Sequence, residues 1–261
     1  MEDKYSSIRN LVRGLDIIAR DMNTISLIPM YLPLVGVFFT LVWLVSSIIG
    51  DLTSQYYTTA LQLVGLIGFI GVFASSMMVV YKLCQHVEYS AYYFSHLSDI
   101  LENLGLGEIS SIADKLSLLG KPRIEYMLVG LVAGLFGLLL QSEMIIRYSG
   151  FIAFLAVLAY YYHYSFKYFN DHMKIENEII TSKIKELLGI EKNTVPAKPR
   201  LDPGLLPVLV AITGSAAAIY VTYIVNDVLD THLADHRSLH SGIKTSIARR
   251  LEEEKQGSQT A

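Results

Sequence analysis

The chain has 261 residues, 52% hydrophobic and 17% charged, with a formal net charge of −3 and a mean hydropathy of +0.41. About 25% charged is usual in soluble domains, so an ordinary soluble globule is excluded, and 18 Gly, 7 Pro and 1 Cys exclude collagen, a disordered tail and a disulfide scaffold. The negative balance argues against a generally basic nucleic-acid-binding surface, which leaves an all-α, polytopic helical membrane protein.

Residues 1–24 place Ile8, Leu11, Val12, Leu15 and Ile18 at three- and four-residue steps, which predicts an amphipathic N-terminal helix. No small-residue cleavage site follows, so the next apolar run is expected to stay as a signal anchor. A crossing takes about 20 apolar residues. Runs at 25–49 and 57–83 with a short connection predict a first transmembrane hairpin over 25–83. A cytoplasmic helical segment is expected over 84–124, broken at Gly105 and Gly107, with a short helix near 111–119. Runs at 125–141 and 148–166 predict a second hairpin over 125–169. Residues 170–203 read as a polar helix closing at Gly189 and a linker stiffened by Pro196, Pro199 and Pro203. Residues 204–226 read as a fifth transmembrane helix, with its apolar run at 205–224, and 227–261 as a polar C-terminal helix and tail, the last five or six residues disordered. The expected fold is thus about five transmembrane helices, two hairpins plus one, with polar helices between and after them. Each hairpin is followed by an aromatic exit and a polar helix ending in Leu-Gly, at Leu104-Gly105 and Leu188-Gly189, a weak internal duplication.

Lys and Arg concentrate in the N-terminal tail and in the two long polar segments, which predicts a multi-pass cell-membrane protein with a cytoplasmic N-terminus. Five crossings would then put the C-terminal tail outside, yet it carries Arg237, Lys244, Arg249, Arg250 and Lys255. A full crossing of 205–224 by a tail that translocates despite its charge is the favoured expectation. The alternative is a re-entrant hairpin.

The central parts of the spans hold no ionisable side chain, so proton- or sodium-coupled transport is not expected. The only candidate for a broken helix is Thr213-Gly214-Ser215. Gly65, Gly68, Gly71, Gly130, Gly134, Gly137 and Gly214 are candidate helix-packing positions, serving a bundle or an oligomer interface. Gln62, Ser75, Ser76, Thr213 and Ser215 are the residues available to line a conduit. The tyrosines at the helix exits read as an interfacial aromatic belt, and Cys84 as a small packing residue.

His232, His236 and His240 fall at i, i+4 and i+8 on one helix face, where neighbouring imidazoles can converge on a metal. Leu233 stands where a zinc protease would carry glutamate, and a third ligand would have to come from Asp235 or elsewhere. These three are therefore weak metal candidates, and no cofactor is expected. His172, with Asn170, Asp171 and Glu176, forms a polar knot beyond the fourth run; His86 and Glu88 hold a similar place after the second, and Asn226-Asp227 after the fifth. Capping or hydrogen bonding to neighbouring exits is the expected role. No Ser-His-Asp spacing, phosphate loop or CxxC is present, so no enzyme is expected.

Lys167, Tyr168, Phe169, Asn170, Asp171, His172 and Glu176 resemble the helix exit of an archaeal membrane family with an Asn-x-His…Glu pattern. In size and hydropathy the chain is also similar to CedA, the polytopic membrane component of the crenarchaeal DNA-import system. That resemblance implies a role beside a cytoplasmic motor ATPase and small membrane subunits. The expected function is a non-enzymatic, multi-span subunit of a membrane complex, a scaffold or conduit. An independent channel for a small solute and, more distantly, a metal-dependent membrane enzyme are the alternatives. The expected partners are the lipid bilayer and other membrane subunits or further copies of the chain, with direct nucleic-acid binding left open.

Overall fold

The computed structural model describes residues 2–25, 27–53, 59–107, 109–123, 125–139, 144–190 and 202–260. Helices make up all the regular structure among the described residues, and no strand occurs there. Four helical stretches, Tyr31–Leu52, Thr59–Asn103, Met144–Glu178 and Pro203–Gln256, are long and apolar enough to cross a membrane, as expected of a membrane protein.

Helix α1 (Glu2–Asn23) lays its apolar face on α3. Helix α2 (Tyr31–Thr53) starts later than the apolar run, with Pro33 in its first turn, where a missing N–H costs nothing. Helix α3 (Thr59–Asn103) has 45 residues, or about 67 Å at 1.5 Å per residue. The expected boundary at residue 84 is therefore a change of surroundings inside one rod. Gly105, at φ +68°, and Gly107 end it in the left-handed region that side chains avoid. Helix α4 (Ser110–Ser117) is short. Helix α5 (Glu125–Leu139) pairs with α6 (Met144–Glu178), which runs on through a π-helical turn at Ile179–Ile184 and α7 (Lys185–Leu188) to Gly189. Most of the Pro-rich linker, with Pro196 and Pro199, lies outside the described residues.

The fifth apolar run is not one helix. Asp202 caps a 3₁₀ turn at Pro203–Leu205 through its Oδ1, which accepts from the Gly204 N–H. Helix α8 (Leu206–Thr213) then stops at Gly214, whose φ of +60° and ψ of −135° no helix tolerates, and α9 (Ala217–Thr260) follows a 3₁₀ turn. The pairings with α6 give the directions. His163 Nδ1 lies 2.9 Å from the Pro203 carbonyl oxygen, while Gly214 faces Leu155. So α8 runs antiparallel to α6. On α9, His232 packs by Phe169 and His236 meets Glu176, so α9 runs parallel to α6. The run enters and leaves at the same end of the bundle. In place of one continuous helix over 204–226, the structure has α8, a break at Gly214 and the start of α9. The tail expected to be disordered continues α9 to Thr260.

Two apolar tiers result. One, between the apolar runs, is centred on Trp43, Phe69, Phe154, Tyr162 and Val221. The other, between α1 and the polar halves of α3, α6–α7 and α9, is centred on Ile8, Leu15, Phe94, Leu97, Ile184 and Ile243. At the first tier's far end, Arg147 holds both Asp51 carboxylate oxygens at 2.9 Å, and Tyr148 donates to Asp51 at 2.7 Å. At the other end Asn226 answers the backbone of Ile28 twice, accepting from its N–H at 2.8 Å and donating to its carbonyl at 2.9 Å. This is the exit-bridging role expected of Asn226.

The packing glycines face other helices of the same chain. Gly65 and Gly68 meet Trp43 and Thr40 on α2, Gly130 meets Val157, Gly134 meets Phe69 and Phe154, and Gly137 meets Gly150. A Cβ on Gly71 would lie 2.6 Å from Gly36 Cα. Gly71→Leu should therefore force α2 from α3 and cost stability at the upper end of the about 1–3 kcal/mol typical of overpacking. Ile70→Ala, on the outer face with Ile70 48% exposed, should leave the melting temperature in detergent close to the parent's. Thermal unfolding of the two variants side by side checks the pair.

Candidate metal centre

Between the two tiers lies a polar layer. Past its apolar part, α3 supplies His86, between Leu83 of one tier and Tyr93 of the other. Helix α6 supplies His172 and Glu176, four residues apart and so stacked on one face. Helix α9 supplies His232 and His236 at the same spacing. All five are buried: His86, His172 and Glu176 are 0% exposed, His232 2% and His236 3%. Each helix continues in register past the layer, so rods rather than loops position the group.

The side chains converge on the carboxylate. His172 Nε2 and His232 Nε2 each lie 3.0 Å from Glu176 Oε2, and His236 Nε2 lies 2.5 Å from Oε1. The His232 and His236 Nε2 atoms are 3.2 Å apart. The His86 ring stands 4.8 Å from that of His232 and 5.2 Å from that of His172, nearly edge-on to both. One ligand atom from each of His86, Glu176, His232 and His236 falls within 4.8 Å of the others. Three imidazole nitrogens and a carboxylate oxygen are a donor set that divalent first-row metals accept.

All five groups lie beyond the apolar runs, and for Glu176 and His86 the electrostatics favour the ligating forms. Burial raises the Glu176 carboxyl, but the imidazoles of His236, His232 and His172 outweigh it and hold the group well below the usual carboxylate range. Burial, then the neighbouring His232, His172 and His236, push His86 well below the ordinary imidazole value, which keeps it neutral.

His240, the third of the weak candidates, turns away from the layer. Its Nδ1 meets the Tyr93 hydroxyl at 3.1 Å and its Nε2 meets Asp16 Oδ1 at 3.0 Å, where Lys244 also donates. Asp235 is not among the buried polar groups and joins no ligand set. His172 and Glu176, expected to cap or brace helix exits, sit inside the cluster. Glu88 leaves His86 to pair with Lys121. The available signal was the repeat of one pattern: each long rod carries a histidine a few residues past its apolar run.

The residues offered for a conduit are scattered. Ser75 and Ser76 bond back to the Val72 carbonyl, and Ser76 also meets the Tyr162 hydroxyl. Thr213 bonds back to the Leu209 carbonyl, Ser215 is buried, and Gln62 is half-buried near the start of α3.

No family model, curated protein or solved structure matches the chain, so the centre is read from its geometry.

The pH dependence follows from His86. Its folded pKa lies below the unfolded value of about 6.5, so below that pH the unfolded chain binds the extra proton and stability falls. Chelator-treated protein should lose melting temperature as pH is lowered from 7 to 5. His86→Phe, which removes the titrating group, should flatten that slope. A second loss, from Glu176, belongs below about pH 4.5, where only the unfolded carboxylate takes up a proton. Melting curves across pH for the parent and His86→Phe check both windows.

Proposed function

We propose that the chain is a non-enzymatic, multi-span subunit of a membrane complex, a scaffold or conduit with four crossings, α2, α3, α5 and α6, and one re-entrant hairpin, α8–α9. The observation that carries the reading is the hairpin's tip. The helix breaks at Gly214 halfway along the apolar tier, while Ile212 is 78% exposed and Thr213 is exposed beside it. At hydrocarbon depth, irregular backbone is tolerated only where protein or water covers it. A partner subunit or second copy over this face meets that requirement. A conduit would form around the tip in an assembly, because Ser75 and Ser76 turn inward on their own chain.

The charges support the same topology. A re-entrant hairpin keeps α9, with Arg237, Lys244, Arg249, Arg250 and Lys255, on the side of α1 and the polar halves of α3 and α6. Every Lys- and Arg-rich segment then shares the cytoplasmic side. The similarity in size and hydropathy to CedA makes a DNA-transfer complex, with a motor ATPase and small membrane subunits, the first assembly in which to seek partners.

A metal-dependent membrane enzyme is the second reading, favoured by the Glu176 carboxylate among four imidazoles. A catalytic metal keeps an open position that substrate reaches, and the closure of this layer argues against it.

Three measurements test these readings. In a Cys84→Ser background, Thr213→Cys should cross-link in native membranes with a bifunctional thiol reagent, giving species heavier than the 29.2 kDa chain. A spin label at Thr213 that reports the same lipid environment as one at Phe38, an outer-face residue 61% exposed, would remove the complex. Ser111→Cys in that background should resist an impermeant label in intact cells and react once they are opened; labelling from outside would reverse the orientation. Diethyl pyrocarbonate at neutral pH should modify His240 and spare His86, His172, His232 and His236. Rapid modification of His86 would show an open site and favour the enzyme.

A further inference from the structure

We infer that His86, Glu176, His232 and His236 form a closed tetrahedral site for a divalent first-row transition ion, zinc being the expected occupant, which fastens α3, α6 and α9 together where the helices leave their apolar tier. The donor count is right for zinc: three imidazoles and one carboxylate. So is the spacing. In a tetrahedral site with bonds of about 2.0–2.1 Å the ligand atoms lie about 3.4 Å apart, and here they lie within 4.8 Å of one another, with His232 Nε2 and His236 Nε2 already at 3.2 Å.

The alternative is a metal-free network in which Glu176 alone satisfies the imidazoles. His86 stands against it. It is fully buried, and neither its Nδ1 nor its Nε2 has a hydrogen-bond partner in the protein. The Nδ1 atoms of His172, His232 and His236 are likewise unpartnered. The Glu176 carboxylate lies against His172, His232 and His236, and His86 is not among its partners. An unsatisfied buried polar group is costly, and a cation among the rings converts one of the two His86 nitrogens into a ligand.

His172 has a different part. Its Nε2 lies 3.0 Å from Glu176 Oε2, yet it falls outside the mutually close set of four. It is a positioning residue: held against one carboxylate oxygen, it sets the rotamer that turns the other oxygen towards the ion. Outer-shell partners of this kind change metal affinity by about 10–100-fold when replaced.

The site does not depend on the complex proposed above, and its test reads metal directly. Full-length protein should be purified in detergent on a histidine-free affinity tag. Elemental analysis should find about one zinc per chain, and stripped protein should rebind zinc with a Kd below about 1 μM, as closed sites do. Cobalt in its place should give the intense visible bands of four-coordinate geometry, and chelation should lower the parent's melting temperature. His86→Ala and Glu176→Gln should lose the ion; His240→Ala should keep it; His172→Gln should weaken binding about 10–100-fold while retaining the four-coordinate spectrum. Where a substitution prevents folding, the stripping and rebinding of the parent decide. Stripped parent that takes up neither zinc nor cobalt at micromolar concentration, or His86→Ala that binds as tightly as the parent, would overturn the site while leaving the tip cross-link untouched. A six-coordinate cobalt spectrum would overturn the closed tetrahedral geometry.

Discussion

Everything above and below the His86, His172, Glu176, His232 and His236 layer is arranged so that five polar side chains meet where water does not reach. Burying that many ionisable groups is unfavourable unless each is paired or coordinated. The layer therefore constrains the helices that bring it together. The three rods must run side by side in the same direction, with their polar faces at one level. A slip of one residue on α9 would rotate its histidines by about 100° and take both out of the layer.

That requirement explains the hairpin at Gly214. Helices α3 and α6 each return from an antiparallel partner, α2 and α5, and arrive at the layer pointing the same way. The last apolar run has no such partner across the whole tier. It enters beside α6, turns back at Gly214 and arrives parallel to α3 and α6. Its outward arm is only α8, Leu206–Thr213, less than half as long as a crossing needs. Each of the three helices α3, α6 and α9 delivers histidine to one layer.

The tiers differ in what holds them. In the first, small residues let backbones touch, as at Gly36 and Gly71, and aromatic rings fill the space between hairpins, with Trp43, Phe69, Phe151 and Phe154 edge to face. Such packing needs no difference in polarity between helix face and surroundings. The second tier has the amphipathic pattern of a water-soluble bundle, with α1 as its cover. The polar layer lies between the two tiers, and a coordinated ion there would tie them together.

The helical class, the two hairpins, the amphipathic first helix and the packing glycines were all legible in the sequence, because hydrophobic run length and periodicity are local properties. So was the pairing of His232 with His236, which a spacing of four residues dictates. Tertiary structure decided the rest. His86 lies 146 residues from His232 in the chain, and only parallel packing of α3, α6 and α9 puts them on one centre. The direction of the last apolar run depended on the Gly214 dihedrals, which composition does not reveal, and the sequence favoured a full crossing despite the basic tail. Run length predicts that a segment is apolar enough to enter a membrane. Whether it passes through or turns back is set by one residue's φ and ψ and by what the returning helix must reach.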